Sequence, residues 1–170
     1  LIVSHPLFVN QAAAIGQLHA GLEGYSYVVV TPEPIYNEFS GGKQDPSAIR
    51  DFVKMFYDRA SGVNDMPKFL LLLGDASYDY KNRVANNNNL VPTFESMNSL
   101  APTASYASDD FFGLLDDSEG ADCVGSLDIA VGRLPINSAD EGDAMVNKLR
   151  KYTSLTKIES SDNNCSEGAC

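Results

Sequence analysis

Carboxylates are the side chains of this sequence best placed to do chemistry. Asp75 follows Phe69-Leu-Leu-Leu-Leu-Gly74, an apolar run that ends in a turn. In an open α/β sheet the carboxyl end of such a strand is where ligands bind. Asp109 and Asp110 open a later segment, Asp116 and Asp117 close it, and Asp128 lies in the next. If the strands carrying them are neighbours, several carboxylates converge near Asp75. Like charges held together are costly unless a cation neutralises them, and Ca²⁺ takes such hard oxygen ligands. The loop is not an EF-hand, because Asp122 stands where that pattern needs Gly. The other reading is a solvated acidic hairpin, with Asp75 capping the turn after its strand.

Nucleophile chemistry has less to stand on. Cys123 lies among Asp116, Asp117, Glu119 and Asp122, whose charges disfavour a thiolate. His5 follows the first strand, and the simpler role for it is to cap the turn before Pro6. No phosphate-binding glycine loop, nucleophile elbow or His-Glu-x-x-His pair occurs. Three cysteines without a Cys-x-x-Cys, and two histidines apart from them, argue against zinc. Pairing of Cys165 with Cys170 is left open by their spacing. No catalytic residue is assigned.

These groups must be positioned by an α/β framework. Leu1–Val3 reads as a short strand, and Phe8, Ala12, Ile15, Leu18 and Leu22 recur at helical spacing up to Gly24. Tyr25–Thr31 reads as a buried strand stopped by Pro32 and Pro34, with Pro34–Gln44 a loop. Asp45-Pro46 is an N-cap and first helical residue, ahead of a stripe at Ile49, Phe52, Val53, Phe56 and Tyr57. Phe69–Leu73 is apolar throughout, as a central parallel strand must be. Tyr78–Asn89 is a polar loop, and Val91–Phe94, Asp110–Leu115 and Leu127–Val131 read as further strands. Ser138-x-x-Glu141 is a capping box opening a last helix, with Met145, Val146, Leu149 and Tyr152 as its buried stripe. The alternation predicts a three-layer α/β fold, a mostly parallel sheet flanked by helices over 1–155. Residues 156–170 form a polar tail expected to be mobile.

The 170 residues are 44% hydrophobic and 21% charged, the composition of one globular domain. A formal net charge of −11 repels phosphate backbones and anionic lipid heads, so nucleic acid and membrane surfaces are poor partners. No apolar run is long enough for membrane insertion. The chain starts at Leu1, without Met or signal peptide, and is read as a piece of a longer polypeptide.

Five ordered motifs carry a resemblance. They are Ile35-Tyr-Asn-Glu-Phe-Ser40, Gln44-Asp-Pro-Ser-Ala-Ile-Arg-Asp-Phe52, Phe69-Leu-Leu-Leu-Leu-Gly-Asp75, Ser108-Asp-Asp-Phe-Phe-Gly-Leu-Leu-Asp116 and Asp128-Ile-Ala-Val-Gly-Arg-Leu-Pro135. Together, and with the Glu141–Tyr152 helix, they resemble the gingipain-type peptidase family, C25, over Leu1–Tyr152. Their details are most similar to its sortase-like members, which process C-terminal signals of secreted proteins in the type IX secretion of Bacteroidetes. The resemblance implies a caspase-like fold built of two side-by-side subdomains, of which this chain is the first. The family's His-Cys dyad belongs to the second subdomain: neither His here precedes Gly, and Cys123 matches no nucleophile motif. A non-catalytic, structural role therefore follows, within a cysteine endopeptidase at the outer-membrane surface. The implied partners are the catalytic second subdomain, packed on an apolar face left exposed here, and the parent's protein substrates. The implied cofactor is Ca²⁺, with ligands falling on Asp75, Asp116, Glu119 and Asp128. Two other readings compete. One is a free-standing calcium-dependent adhesion module. The other is a phosphoacceptor receiver centred on Asp75, which would need an acidic pair where Ser4-His5 stands and a Lys where Arg133 precedes Leu134-Pro135.

Overall fold

A computed structural model describes residues 1–97, 100–101 and 103–162, with only the backbone course given for 155–162. Four parallel strands form its sheet in the order β2-β1-β3-β6, and a two-stranded antiparallel ribbon pairs β4 with β5. The strands are β1 (Ile2–Ser4), β2 (Val29–Val30), β3 (Phe69–Leu73), β4 (Phe94–Glu95), β5 (Ala107–Ser108) and β6 (Ala130–Leu134). The helices are α1 (Val9–Glu23), α2 (Pro32–Phe39), α3 (Pro46–Asp58) and α4 (Ala139–Asp162). This is the expected α/β class, with helices on both faces of a parallel sheet.

Alternation along β3 separates the two cores. Leu70 and Leu72 point into a cluster with Val3, Ile35, Ile49, Phe52, Val53 and Phe112, under α2 and α3. Leu73 points the other way, against Phe8, Ala12, Ile15 and Val146 of the α1 and α4 side. Successive strand residues face opposite ways, so one apolar pentapeptide serves both layers.

Several elements differ from their sequence patterns, each for a steric reason. Pro34–Gln44 is not a loop: α2 occupies Pro32–Phe39. Both prolines sit in its first turn, where backbone N–H groups have no intrahelical partner anyway. Ile35 is buried, and Gly41 and Gly42, at φ 61° and 83°, turn the chain out of the helix. Tyr25–Thr31 yields only the two-residue β2, a half-buried edge strand. Its tyrosines pack instead: the Tyr25 ring lies 5.5 Å from that of Phe69, and Tyr27 covers Gly16.

The strand expected at Asp110–Leu115 is a 3-10 turn over Asp110–Gly113. Phe111 and Phe112 are both buried in one core, which a period of two cannot achieve. The next strand starts at Ala130, not Leu127, and Val91–Phe94 gives way to β4 at Phe94–Glu95. In α4 the cap forms as expected, with Glu141 N donating to Ser138 Oγ at 3.2 Å and Asn137 N donating to Glu141 Oε2 at 2.7 Å. Val146 is buried, but Tyr152 is exposed. The helix runs on through Asp162, past the boundary placed after residue 155. The rest of that segment, with Cys165 and Cys170, lies outside the described residues.

Two helical glycines give a matched test. A Cβ on Gly16 would meet the Tyr27 ring at 2.3 Å, whereas one on Gly21 would meet nothing within 4 Å. Gly21→Ala should therefore raise unfolding free energy by about 0.5–1 kcal/mol, the helical gain of Ala over Gly. Gly16→Ala should lower it, as read by urea denaturation.

Candidate functional site

Strand register separates the carboxylates that the sequence placed together. Phe69 pairs with Ala130 and Leu73 with Leu134, so β3 and β6 run level. Asp75, whose N–H donates to Ile136 O, lies past their carboxyl ends, and Asp128 lies ahead of their amino ends. The eight residue-to-residue steps from Asp128 to Ile136 span roughly 26 Å at about 3.3 Å each. Asp116, Glu119 and Asp128 share one loop region, and Asp75 is not part of it. Among the described residues, no three acidic, His or Cys side chains stand close enough to hold a metal.

Cations of α3 occupy the middle of that loop. Arg50 donates from Nε to Leu114 O, and from one terminal nitrogen to Asp116 O at 3.3 Å and Glu119 O at 3.1 Å. Its guanidinium also faces the Phe111 ring, 5.8 Å from the centroid. Gly120, at φ 89°, lets the loop close over it, since a Cβ there would sit 2.9 Å from the guanidinium carbon. One turn later Lys54 donates to Leu115 O at 2.6 Å and pairs with Asp117 at 3.0 Å and Asp58 at 3.2 Å. The hydrogen bond that Lys54 donates to Asp117 leads the causes that raise the Lys54 pKa.

The carboxylates themselves are largely committed. Asp128 Oδ2 accepts from Leu115 N at 2.8 Å, and its Oδ1 accepts from Tyr57 Oη at 3.4 Å. The Asp128 charge is the first cause of a raised Tyr57 pKa. Glu119 Oε1 accepts from Ser126 N at 2.8 Å, which leaves its buried Oε2 without a partner. Calcium needs 6–8 oxygen ligands. Here the carbonyls of Leu114, Asp116 and Glu119 are taken by a guanidinium instead. The expected set of Asp75, Asp116, Glu119 and Asp128 is not gathered in one place among the described residues: Asp75 lies past the carboxyl ends of β3 and β6, and Asp128 ahead of their amino ends.

Asp75 belongs to a different constellation, at the carboxyl edge where β1 and β3 diverge. The chain leaves β1 towards β2 and returns to β3, which makes this the topological switch point of the sheet. Asp75 Oδ1 accepts from Ala76 N at 2.9 Å, while Oδ2 accepts from the amides of Asn88 and Asn137. Beside it, Arg133 forks onto both oxygens of Asp109 at 2.7 Å. The same guanidinium donates to Gly74 O, Val91 O and Pro92 O. His5 closes the turn after β1, its Nδ1 accepting from Leu7 N at 3.4 Å, and partial burial lowers its pKa. That is the capping role, in which the neutral ring is the competent form.

Among the described residues no histidine stands beside a cysteine. Cys123 packs against the α3-side core and sits at φ 57° in the acidic loop. The partners of His5 and His19 are Leu7 N and Glu23, with no cysteine among them. Arg50, Arg133, Asn88 and Asn137, which organise both regions, were not singled out from the sequence. A signal existed for two of them: Arg50 adjoins the apolar stripe of α3, and Arg133 interrupts an otherwise apolar strand.

The comparisons with known proteins agree with this fold. The sequence model of peptidase family C25 matches residues 1–166. The chain is similar in structure to the crystal structure of dimeric latent PorU from Porphyromonas gingivalis, with 34% identity and a TM-score of 0.70. That match covers 86% of this chain and 15% of the PorU chain. No curated protein sequence matches significantly.

The Arg50 clamp makes a direct prediction. Arg50→Met keeps the aliphatic stem and strands three carbonyls, so it should cost about 2–3 kcal/mol of stability, the worth of charge-assisted hydrogen bonds at a partly buried site. Hydrogen exchange should speed up over residues 114–126 before it does in β3. Addition of calcium or a chelator to the unmodified chain should leave its melting temperature unchanged, as read by calorimetry.

Proposed function

This chain belongs to peptidase family C25, and we propose that it forms the non-catalytic N-terminal subdomain of a gingipain-like cysteine endopeptidase. In that role it is a scaffold, and the catalytic second subdomain of the same polypeptide is its partner. The parent works on the outer-membrane surface and removes C-terminal signals from secreted proteins, in line with the likeness to PorU. The proposed role rests on the scaffold surface and not on a metal, since Arg50 and Lys54 already tie down the acidic loop through its carbonyls and Asp117.

One observation carries this reading. A parallel sheet is normally covered on both faces. On the α1 face the carboxyl half is covered, while the amino half borders an open groove of about 930 Å³ lined by Leu71, Val28, Ala130 and Gly132. Phe69 is 51% exposed there, a costly position for an aromatic ring on a central strand. The adjoining edge is open as well. Among the described residues β6 pairs only with β3, and Ala130 N donates to Lys68 O. Alternate groups therefore point outward, from Val131 and Arg133, to no other strand. An uncovered apolar face beside a free strand edge marks a surface made to be covered. The PorU chain, of which this one spans only a fraction, supplies precedent for more polypeptide around such a unit.

Gly132 offers the test. A Cβ there meets nothing within 4 Å, so Gly132→Glu should leave the melting of the isolated chain within about 0.5 kcal/mol of the original. In the full-length parent the same substitution puts a charge into the covered face and should abolish most peptidase activity. The isolated chain should cleave no peptide and should self-associate at high concentration, as read by sedimentation. Full activity of the Gly132→Glu parent would sink the scaffold reading.

A further inference from the structure

A second surface, at the carboxyl edge, is built rather than merely left open. Between β3 and β4 the chain forms a loop over residues 76–90 whose centre is Asp79, a carboxylate only 8% exposed. Asp79 Oδ2 accepts from Val84 N at 2.6 Å, and its carbonyl accepts from Asn82 N and from the Asn87 amide. Ser77 Oγ receives the Asp79 N–H at 3.1 Å, and Asn89 Oδ1 receives the Ser77 N–H at 3.2 Å. Asn82 and Asn86 adopt the left-handed conformation that Asn tolerates, at φ 52° and 59°. Burying a charge in a surface loop is costly unless it is bonded in this way, and the bonds hold the loop in one shape.

The shape has an outward consequence. With Asp79 turned in, its neighbours Tyr78 and Tyr80 are turned out, 76% and 60% exposed. Lys81 and Arg83 follow, both exposed, and neither makes an ion pair among the described residues. The Lys81 ammonium lies over the Tyr80 ring, 5.3 Å from its centroid. Arg50, Lys54 and Arg133 are by contrast engaged within the fold. A pre-shaped loop that presents two rigid aromatic rings and two unpaired cations is suited to binding, because little further ordering is needed.

We infer that the Tyr78–Arg83 loop is a recognition surface for an acidic, extended polypeptide segment. Its local charge is opposite to the net −11 of the chain, so an anionic group is repelled less there than by the chain as a whole. The whole-chain repulsion argues against a nucleic acid or an anionic membrane, which would meet many charges at once. A short segment confined to the loop is shielded from more distant carboxylates beyond roughly 8 Å at physiological salt. Carboxylates of the segment meet Lys81 and Arg83, while its side chains lie on the two tyrosine rings. The inference is independent of the scaffold role, since the loop lies at the other end of the strands from the Phe69 groove.

Calorimetric titration of the 170-residue chain with a glutamate-rich decapeptide tests it, alongside glutamine-rich and lysine-rich decapeptides of equal length. The glutamate peptide should bind, and binding should weaken as salt is raised. Lys81→Glu with Arg83→Glu, and separately Tyr78→Ser with Tyr80→Ser, should each weaken it by about tenfold or more. Lys43→Glu, an exposed lysine elsewhere, should leave it unchanged, and all variants should melt alike because the substituted side chains are exposed. The proposal is overturned if the glutamate peptide does not bind at millimolar concentration or binds the loop variants equally well. Equal binding of the glutamine or lysine peptide overturns it too, as does loop-dependent binding of phosphatidylglycerol vesicles in place of the peptide.

Discussion

The ion pair between Arg133 and Asp109 is the interaction on which the carboxyl edge of this fold depends. Between β3 and β6 the chain runs through more than fifty residues with little regular structure. Every buried carbonyl in such a segment needs a donor that no helix or ladder supplies. Arg133 is placed by β6 beside the end of β3 and meets three of those carbonyls, while Asp109 holds its plane. A planar guanidinium can serve several acceptors at fixed angles, which a lysine cannot. Arg50 does the same for the later part of that stretch, at Leu114, Asp116 and Glu119. Two arginines thus organise what the sheet alone would leave loose.

Among the described residues the acidic side chains do not gather into a group that could hold a metal. A cation was needed to hold the Asp116–Asp128 region together, and α3 provides it covalently. Asp75 meanwhile satisfies its charge with the amides of Asn88 and Asn137, away from the other carboxylates. The two ends of the sheet are chemically distinct. At the carboxyl edge sits a polar network with an aromatic and basic loop, and at the amino half an apolar groove beside a free strand.

That asymmetry frames the functional reading. Membership of peptidase family C25 is secure, and the chain spans a small share of PorU. A scaffold must bind its neighbour through a surface that is dispensable for its own folding. On the proposed reading the groove bordered by Phe69 and Gly132 serves as that surface, since the two cores close without it.

Hydrophobic periodicity and capping residues were enough to read α1, α3, α4 and the central strand β3 from sequence, because burial and terminal hydrogen bonds act over a few residues. Family membership was legible for the related reason that motif order survives in the chain itself. Short or irregular elements were not legible. Phe111 and Phe112 look like strand residues until a shared core demands both on one side. The two prolines of α2 look like breakers until they fall in a first turn. Above all, sequence spacing shows which carboxylates exist but not which end of the sheet each occupies. Parallel register set Asp75 and Asp128 at opposite ends, and the packing of α3 against the loop put Arg50 where a metal was expected. Those are long-range relations, decided only when strands and helices pack.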